Sequence, residues 1–566
     1  MLTQHFAYWP KRVPHSLTIP ETTLCYNLDV SATRYPRKTA IVYYGREITY
    51  RELASEVNCL AGYLVRSGVK RGDRVVLQMQ NCPQFIIGYY AILRANAVVV
   101  PLNSMLVTNE LRHYVQDSQA ELVLVGQDLY PQMVPLLREG TVRRAVVVAY
   151  SDYRGDQPGV PMPDVVAAAR EMIAEPGVML WVDAMAAGGE PGPLLVGPDD
   201  LAVLPYTSGT TGRPKGCMHS HRTVMANVAG GATWSQASSE SVVLSALPLF
   251  HVTGMQGSMS TPIYRGTCVV LMTRWNRDTA AELIQRYGVT SWSNISTMMI
   301  DFLANPRIGE FDLSSLEGIG GGGAPLPAVV GERLLTMTGL QYVEGYGLSE
   351  TMAQTHANPS DRAKMQCLGI PLFDLDARVV EPATLEEMGP NVDGEILVSG
   401  PQVFLGYWNK PEETAQAFVE LDGKRFFRTG DLGHYDEEGY FFHTDRIKRM
   451  INASGFKVWP AEVEMLLYRY PAVQEACVIA SPDERRGETV KALVVLRESH
   501  RGTTPEEIIA WARGEMAAYK CPHSVEIVEN LPKSASGKVL WRVLQEQERE
   551  RVTREAGVQA QTGGGA

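Results

Sequence analysis

The stretch "YTSGTTGRPKG", residues 206–216, places three glycines, four aliphatic hydroxyls and two cations within eleven positions. Glycines let backbone approach a ligand, hydroxyls and amide N–H groups donate hydrogen bonds, and a lysine supplies a point charge. Together these are the parts of a polyphosphate cradle. The spacing is not that of a Walker A loop, because only two residues separate Gly209 from Gly212 and Lys215 follows Pro214. An apolar run, "DDLAVLP", precedes the loop and a helical pattern, "RTVMANVAGGAT", follows it. Strand, glycine-rich turn and helix form a phosphate-binding context.

Five other stretches carry reactive or ligand-binding residue types. "GGGGAPLP" follows a strand-like run, where bare backbone could lie flat against a planar ligand. "EGYGLSETMAQ" gathers Tyr346, Ser349, Glu350 and Thr351, and "FRTGDLG" puts Asp431 in a glycine-flanked turn suited to a diol. "TDRIKRMINASGFKV" collects Arg446, Lys448, Arg449 and Lys457, and "LPKSASGKVLWR" presents Gly537 and Lys538. His251 stands in "LPLFHVTG". Taken singly, each is an ordinary turn, loop cation or core histidine. The "HSH" at His219–His221 lacks an accompanying cysteine or carboxylate cluster and does not read as a metal site.

The elements that must position these residues read as a doubly wound pattern. "DRVVLQM", "CPQFIIGYYAILRAN" and "AVVVPL" are strand, helix and strand, and "NELRHYVQDSQ" with "AELVLVG" repeats the rhythm of a parallel sheet flanked by helices. Thr49 and Glu52 form a capping box. Residues 150–197, rich in Pro, Gly and Ala, read as a surface excursion, whereas "VEMLLYRYPAVQEACVIASPDERRGETVKALVVL" reads as helix, strand, strand of a small α+β unit. The fold class is therefore α/β: a large N-terminal region of mainly parallel sheets flanked by helices, at 1–445, and a small mobile α+β domain at 446–550. A disordered tail is expected at 551–566.

At 566 residues the chain exceeds one ordinary core. Its net charge of −11 argues against a general nucleic-acid binder, since few cations are available to displace counterions. Eight scattered cysteines without a C-x-x-C pair argue against a zinc ribbon or disulfide framework and fit a reducing cytoplasm. No continuous apolar segment reads as a signal peptide or membrane span, and peripheral membrane contact stays open.

The order "YTSGTTGRPKG … LPLFHVTG … GGGGAPLP … EGYGLSET … FRTGDLG … DRIKRMINASGFKVWPAEVE … LPKSASGKVL" resembles the adenylate-forming enzymes, which include acyl-CoA synthetases, firefly luciferase and peptide-synthetase adenylation domains. The likeness runs from about residue 20 to 550 and is greatest to bacterial long-chain fatty acid–CoA ligases. It implies an ATP-dependent enzyme that converts a fatty carboxylate to acyl-AMP, releases pyrophosphate and transfers the acyl group to CoA. ATP and CoA are the implied co-substrates and Mg²⁺ the implied cofactor.

The resemblance also assigns roles to residues. Thr207, Ser208, Gly209, Thr210, Thr211, Gly212 and Lys215 would hold the β- and γ-phosphates. Tyr346 would stack near adenine with Gly322, Gly323 and Ala324 on the other side, Glu344, Gly345 and Gly347 would lie in the same nucleotide site, and Ser349 near the α-phosphate. Glu350 and Thr207 would hold Mg²⁺, and Asp431 and Arg446 the ribose. Lys538 would bridge acid and α-phosphate, which makes Lys538, Glu350 and Thr207 the catalytic candidates. Lys448 would be the hinge about which the C-terminal domain swings, Gly455, Phe456 and Lys457 would flank CoA, and His251 would sit at the mouth of the acyl pocket. An aryl- or other carboxylic acid–CoA ligase is the rival within the family, and a catalytically inactive nucleotide- or acyl-binding protein is the rival outside it. Relatives include dimers, which leaves a homodimer open.

Overall fold

A computed structural model describes residues 2–207, 214–323, 325–446, 449–453, 456–483, 487–534 and 537–562. Two compact units emerge: Met1–Ala377 with Val398–Arg428 and Glu437–Phe441, and Arg378–Leu397 with Thr429–Asp436 and Phe442–Ala566. The second unit thus takes in two segments earlier than residue 446. Pairing between sequence-distant residues draws them in, as where the Thr444 hydroxyl donates to the Asp393 carboxylate at 2.6 Å.

The first unit carries two mainly parallel sheets. Among the described residues, one has the order His219–Ser220, Leu201–Val203, Val98–Pro101, Arg74–Gln78, Leu122–Gly126, Arg144–Val148, Val178–Leu180. The other runs Ile370–Pro371, Ala353–Ala357, Tyr342–Leu348, Gly318–Gly322, Ser291–Asn294, Val242–Ser245, Cys268–Leu271, Thr39–Tyr43, Arg46–Thr49. Antiparallel pairs occur only towards the sheet edges. Central strands such as Leu122–Gly126 are buried at every residue, which is why they read as unbroken apolar runs rather than alternating ones. Helix Pro83–Arg94 is buried from Pro83 through Leu93, and its residues share one core with Leu77 and Leu124 of the first sheet and Ile41 and Leu244 of the second. Helix Tyr50–Arg66 begins at the expected capping box: the Thr49 hydroxyl accepts from the Glu52 N–H at 3.3 Å and the Glu52 carboxylate accepts from the Thr49 N–H at 2.7 Å.

The segment read as a surface excursion is partly structural. Val178–Leu180 pairs parallel with Arg144–Val148 and closes that sheet edge, and Trp181 is buried behind it. Three residues are too few to stand out in a Pro/Gly-rich context.

The second unit is α+β, as expected. Strand Val473–Asp483 pairs antiparallel with Gly487–Leu496, which also carries Ile451–Ala453 antiparallel and Ser524–Ile527 parallel. Helices Pro460–Leu467 and Pro505–Glu515 bury Val463, Leu467 and Ile508 against Val478, Val490 and Val494. The tail expected to be disordered from 551 is a correction: the last helix spans Trp541–Thr562. Its Glu/Arg-rich composition favours helix, both by propensity and through i,i+3 pairs such as Glu548–Arg551 at 2.8 Å. Residues 563–566 lie outside the described residues.

Candidate active site

The glycine-rich stretch does not lead straight into a helix, contrary to the reading above. Tyr206–Thr207 and Lys215–Gly216 form an antiparallel pair, with Thr207 opposite Lys215 and Tyr206 opposite Gly216. Strand His219–Ser220 then intervenes before helix His221–Trp234. The two candidates that flank the stretch, Thr207 and Lys215, are therefore cross-strand neighbours. Ser208, Gly209, Thr210, Thr211 and Gly212 lie outside the described residues. The hairpin base is braced by helix Thr108–Ser118: the Tyr206 hydroxyl donates to Asp117 at 2.7 Å, and a His113 ring nitrogen lies 3.0 Å from the Pro214 carbonyl.

Glu350 occupies the centre of the 3-10 turn Ser349–Thr351, against which strand Tyr206–Thr207 packs. All three carbonyls of that turn are held. The His219 Nε2–H donates to Ser349 at 2.8 Å, the Phe404 N–H to Glu350 at 2.8 Å, and the Asn227 amide to Thr351 at 2.6 Å. Burial holds the His219 imidazole down to about 4, so it is neutral at ordinary pH, with Nε2 the donor and Nδ1 facing the Thr223 hydroxyl at 3.2 Å. The next two residues, Met352 and Ala353, have φ of 50° and 84°, left-handed values that non-glycine residues rarely adopt. Strain of this kind persists where surrounding contacts over-determine the backbone, as these do here.

A segment assigned no role from sequence joins the hairpin to this turn. Residues 404–408 zip onto the hairpin strand through Met218 N–H to Gly406, Leu405 N–H to Met218 and Trp408 N–H to Gly216, at 2.8–2.9 Å. In its centre the Tyr407 hydroxyl donates to Glu350 Oε1 at 2.8 Å, and Lys215 Nζ lies 4.1 Å from the centroid of the Tyr407 ring. In the sequence this segment is the run "FLGYW".

The glycines of 320–323 also meet demands of the fold. A Cβ at Gly321 would lie 1.8 Å from the Asn294 carbonyl oxygen and one at Gly322 would lie 2.4 Å from that of Gly345. Neighbouring strands exclude side chains there. Gly323 turns the chain with φ of 92°, and Ala324 lies outside the described residues. In the facing strand Tyr342–Leu348, Tyr346 pairs with His356 across Ala353–Ala357, Gly345 pairs with Gly322, and Gly347 lies close under the Ala353 carbonyl.

Glu344 is buried, and its carboxylate accepts the Leu326 N–H at 2.8 Å. Burial pushes its carboxyl up to about 7, against the opposing pull of backbone N–H groups from Leu326, Gln366 and Cys367. Its side chain therefore anchors the chain after Gly323. Because the folded value exceeds the ordinary 4.5, the folded state binds the extra proton. That contribution to stability is fully present below about 4.5 and is lost as pH rises through about 7. Glu344→Gln removes the titration and keeps an acceptor, so its melting temperature relative to the parent should rise between pH 5 and pH 8. Parallel melting profiles would contradict the assignment.

His251 is half-buried and precedes helix Val252–Met255, which continues into the π-helical turn Gln256–Ser260. On that turn Gln256 and Ser258 are buried with side-chain polar atoms that meet no partner among the described residues. Such turns recur at functional sites.

The remaining candidates belong to the second unit. Asp431 is 1% exposed, with Oδ1 3.7 Å from His443 Nε2, and its neighbour Gly430 takes φ of 69°. Arg446 ends strand Phe441–Arg446. Lys448 and Gly455 lie outside the described residues, but Asp445 accepts the Ala461 N–H at 2.8 Å and Arg449 pairs with Glu464. Phe456 and Lys457 open strand Phe456–Val458, opposite Ala453 and Asn452. Lys538 is exposed on a turn closed by backbone: Ser534 N–H to the Lys538 carbonyl at 2.8 Å, Lys538 N–H to Ser534 Oγ at 3.2 Å, and Gly537 at φ of 75°.

Among the described residues no group of three His, Cys, Asp or Glu side chains could hold a metal by itself. His219 and His221 are buried and engaged, the latter accepting the Leu24 N–H at 3.2 Å. The hard oxygens of Glu350 and Thr207, on adjoining elements, fit a Mg²⁺ that takes its other ligands from phosphate and water. Among the described residues no helix is long and apolar enough to cross a membrane.

Residues 28–408 match the family model described as AMP-binding enzyme, and residues 462–538 match the AMP-binding enzyme C-terminal domain. A long-chain-fatty-acid–CoA ligase of Bacillus subtilis (strain 168) is 37% identical over 96% of this chain and 98% of its own. A feruloyl-CoA synthase of Amycolatopsis sp is 36% identical over 89% and 95% of the two chains. ATP-bound MatB from Rhodopseudomonas palustris superposes with a TM-score of 0.81 at 29% identity, covering 93% of this chain and 99% of its own.

Proposed function

The chain belongs to the AMP-binding enzyme family, and from that premise we propose that it is a medium- to long-chain fatty acid–CoA ligase, an AMP-forming acid–thiol ligase. One observation carries the reaction class: the phosphate-loop hairpin and the Glu350 turn are locked together within one unit, with Thr207, Lys215 and Glu350 on adjoining elements. The fatty-acid class is supported by relatives of that name along nearly the whole chain.

In the first half-reaction a carboxylate oxygen of the acid bonds to the α-phosphorus of ATP, the bond from that phosphorus to the bridging oxygen breaks, and pyrophosphate leaves. Lys215 and Thr207 orient the triphosphate, and the Lys538 ammonium lies between acid and α-phosphate as charge develops there. Bound Mg²⁺ would neutralise phosphate charge, held by Glu350 and Thr207. In the second half-reaction the thiol sulfur of CoA bonds to the acyl carbonyl carbon, the thiol proton passes to solvent, and AMP departs. Tyr346 with Gly322–Ala324 supports adenine, Asp431 and Arg446 the ribose, and Gly455–Lys457 the CoA side. The working division is a domain of 1–445 and a mobile domain of 446–550 hinged at Lys448. A cytoplasmic location is supported by eight cysteines scattered without a C-x-x-C pair.

The test is AMP and pyrophosphate formation across a panel of saturated fatty acids and aryl acids, with and without CoA. Turnover that peaks at a medium or long aliphatic chain and yields acyl-CoA is the expected result; ATP binding without pyrophosphate release would overturn it. A second reading, an aryl- or other carboxylic acid–CoA ligase, is favoured by the 36% identity to a feruloyl-CoA synthase over 89% of this chain. Aryl acids outperforming every fatty acid would establish that reading instead. Gel filtration and vesicle sedimentation decide the homodimer and peripheral membrane contact.

A further inference from the structure

The geometry points to Tyr407 as a positioning residue that sets the metal-side carboxylate and the phosphate-side lysine at a fixed spacing: its hydroxyl holds Glu350 while its ring face seats Lys215. This rests on the proposed roles of Glu350 and Lys215. Two independent contacts from one side chain make the case. The hydroxyl bond to Glu350 Oε1, at 2.8 Å, has an ionised acceptor, which makes it stronger than a neutral bond and directional. The ring face attracts the Lys215 ammonium through its quadrupole without consuming any of its three N–H donors, which stay available to phosphate oxygens.

Tyr407 can act as a ruler because it is itself immobilised. It is 7% exposed, its N–H donates to Thr414 Oγ1 at 2.9 Å, and it forms an antiparallel bridge with Cys217, two residues beyond Lys215. The preceding Gly406 has φ of 147°, and a Cβ there would lie 2.6 Å from Thr414 Cγ2, so the backbone is held from behind. Phe404, whose ring lies 4.8 Å from that of Tyr407, donates its N–H to the Glu350 carbonyl. The same five-residue segment therefore fixes Glu350 at both backbone and side chain. The phenol is held in its protonated, donating form by burial and by the neighbouring Glu350 charge.

A tyrosine present only to fill space would tolerate phenylalanine. The two handles can be separated, because Tyr407→Phe removes the hydroxyl and keeps the ring, whereas Tyr407→Leu removes both. Pyrophosphate release is measured with the best acid of the panel while Mg²⁺ and ATP are varied, for the parent, both variants and Glu350→Gln. Tyr407→Phe should raise the Mg²⁺ concentration for half-maximal rate about tenfold, the worth of a hydrogen bond to a charged group. Saturating Mg²⁺ should restore kcat to within about twofold, and KM for the acid should not change. Tyr407→Leu should in addition raise KM for ATP about threefold, the scale of a cation–π contact. An unchanged Mg²⁺ requirement in Tyr407→Phe, with Glu350→Gln impaired, overturns the inference and leaves Tyr407 as packing. An unchanged requirement in Glu350→Gln overturns instead the reading of Glu350 on which the inference rests.

Discussion

Lys538→Ala should slow acyl-adenylate formation by about 10²–10³-fold, the usual loss when one group that stabilises developing charge is removed. Thioester formation from preformed acyl-AMP should change by less than about twofold, because a group stationed at the α-phosphate does no work on the acyl carbonyl. The substitution isolates chemistry from folding, since the turn carrying Lys538 is closed by the backbone and hydroxyl of Ser534 and by Gly537 in a left-handed conformation. Lys538 is also exposed, so no core is disturbed. Lys538→Arg retains the charge but replaces a compact ammonium with a planar fork, and should recover only part of the rate. Single-turnover measurement of each half-reaction checks the split. Equal losses in both steps would remove Lys538 from its adenylation role.

Glu350→Gln should cost a comparable factor, on the order of 10²–10³ in adenylation rate, accompanied by loss of the normal Mg²⁺ dependence. The amide oxygen can still accept from Tyr407, so the variant removes charge while leaving shape. The turn itself should survive, because its three carbonyls are held by His219, Phe404 and Asn227 rather than by the Glu350 side chain. Mg²⁺ titration of pyrophosphate release, with a thermal melt to confirm the fold, checks this. A variant with parental kcat and parental Mg²⁺ dependence would show that Glu350 is not the carboxylate that meets the cation.

The two predictions test residues of different units. Glu350 lies in the first unit and Lys538 in the second. Tyr407 belongs with the former, as the side chain that lets one segment discipline both the phosphate hairpin and the metal-side turn.

Much of this was legible in the residues. Apolar runs such as "AELVLVG" reveal buried parallel strands because both faces are covered, and the Thr49–Glu52 capping box marks its helix start because the bonding is local. The order of the glycine-rich, Glu350 and Lys538 stretches identified the family because their spacing along the chain survives in sequence. Tertiary structure alone decided the rest. That Thr207 and Lys215 face each other across a hairpin depends on cross-strand pairing, and the glycines at 321 and 322 are demanded by carbonyls of other strands. Tyr407 could not be found from sequence because its hydroxyl meets a carboxylate 57 positions away and its ring meets a lysine far earlier in the chain. Local pattern records what neighbouring residues do for one another, whereas a polar contact between distant segments leaves no periodicity, and only folding brings its two ends together.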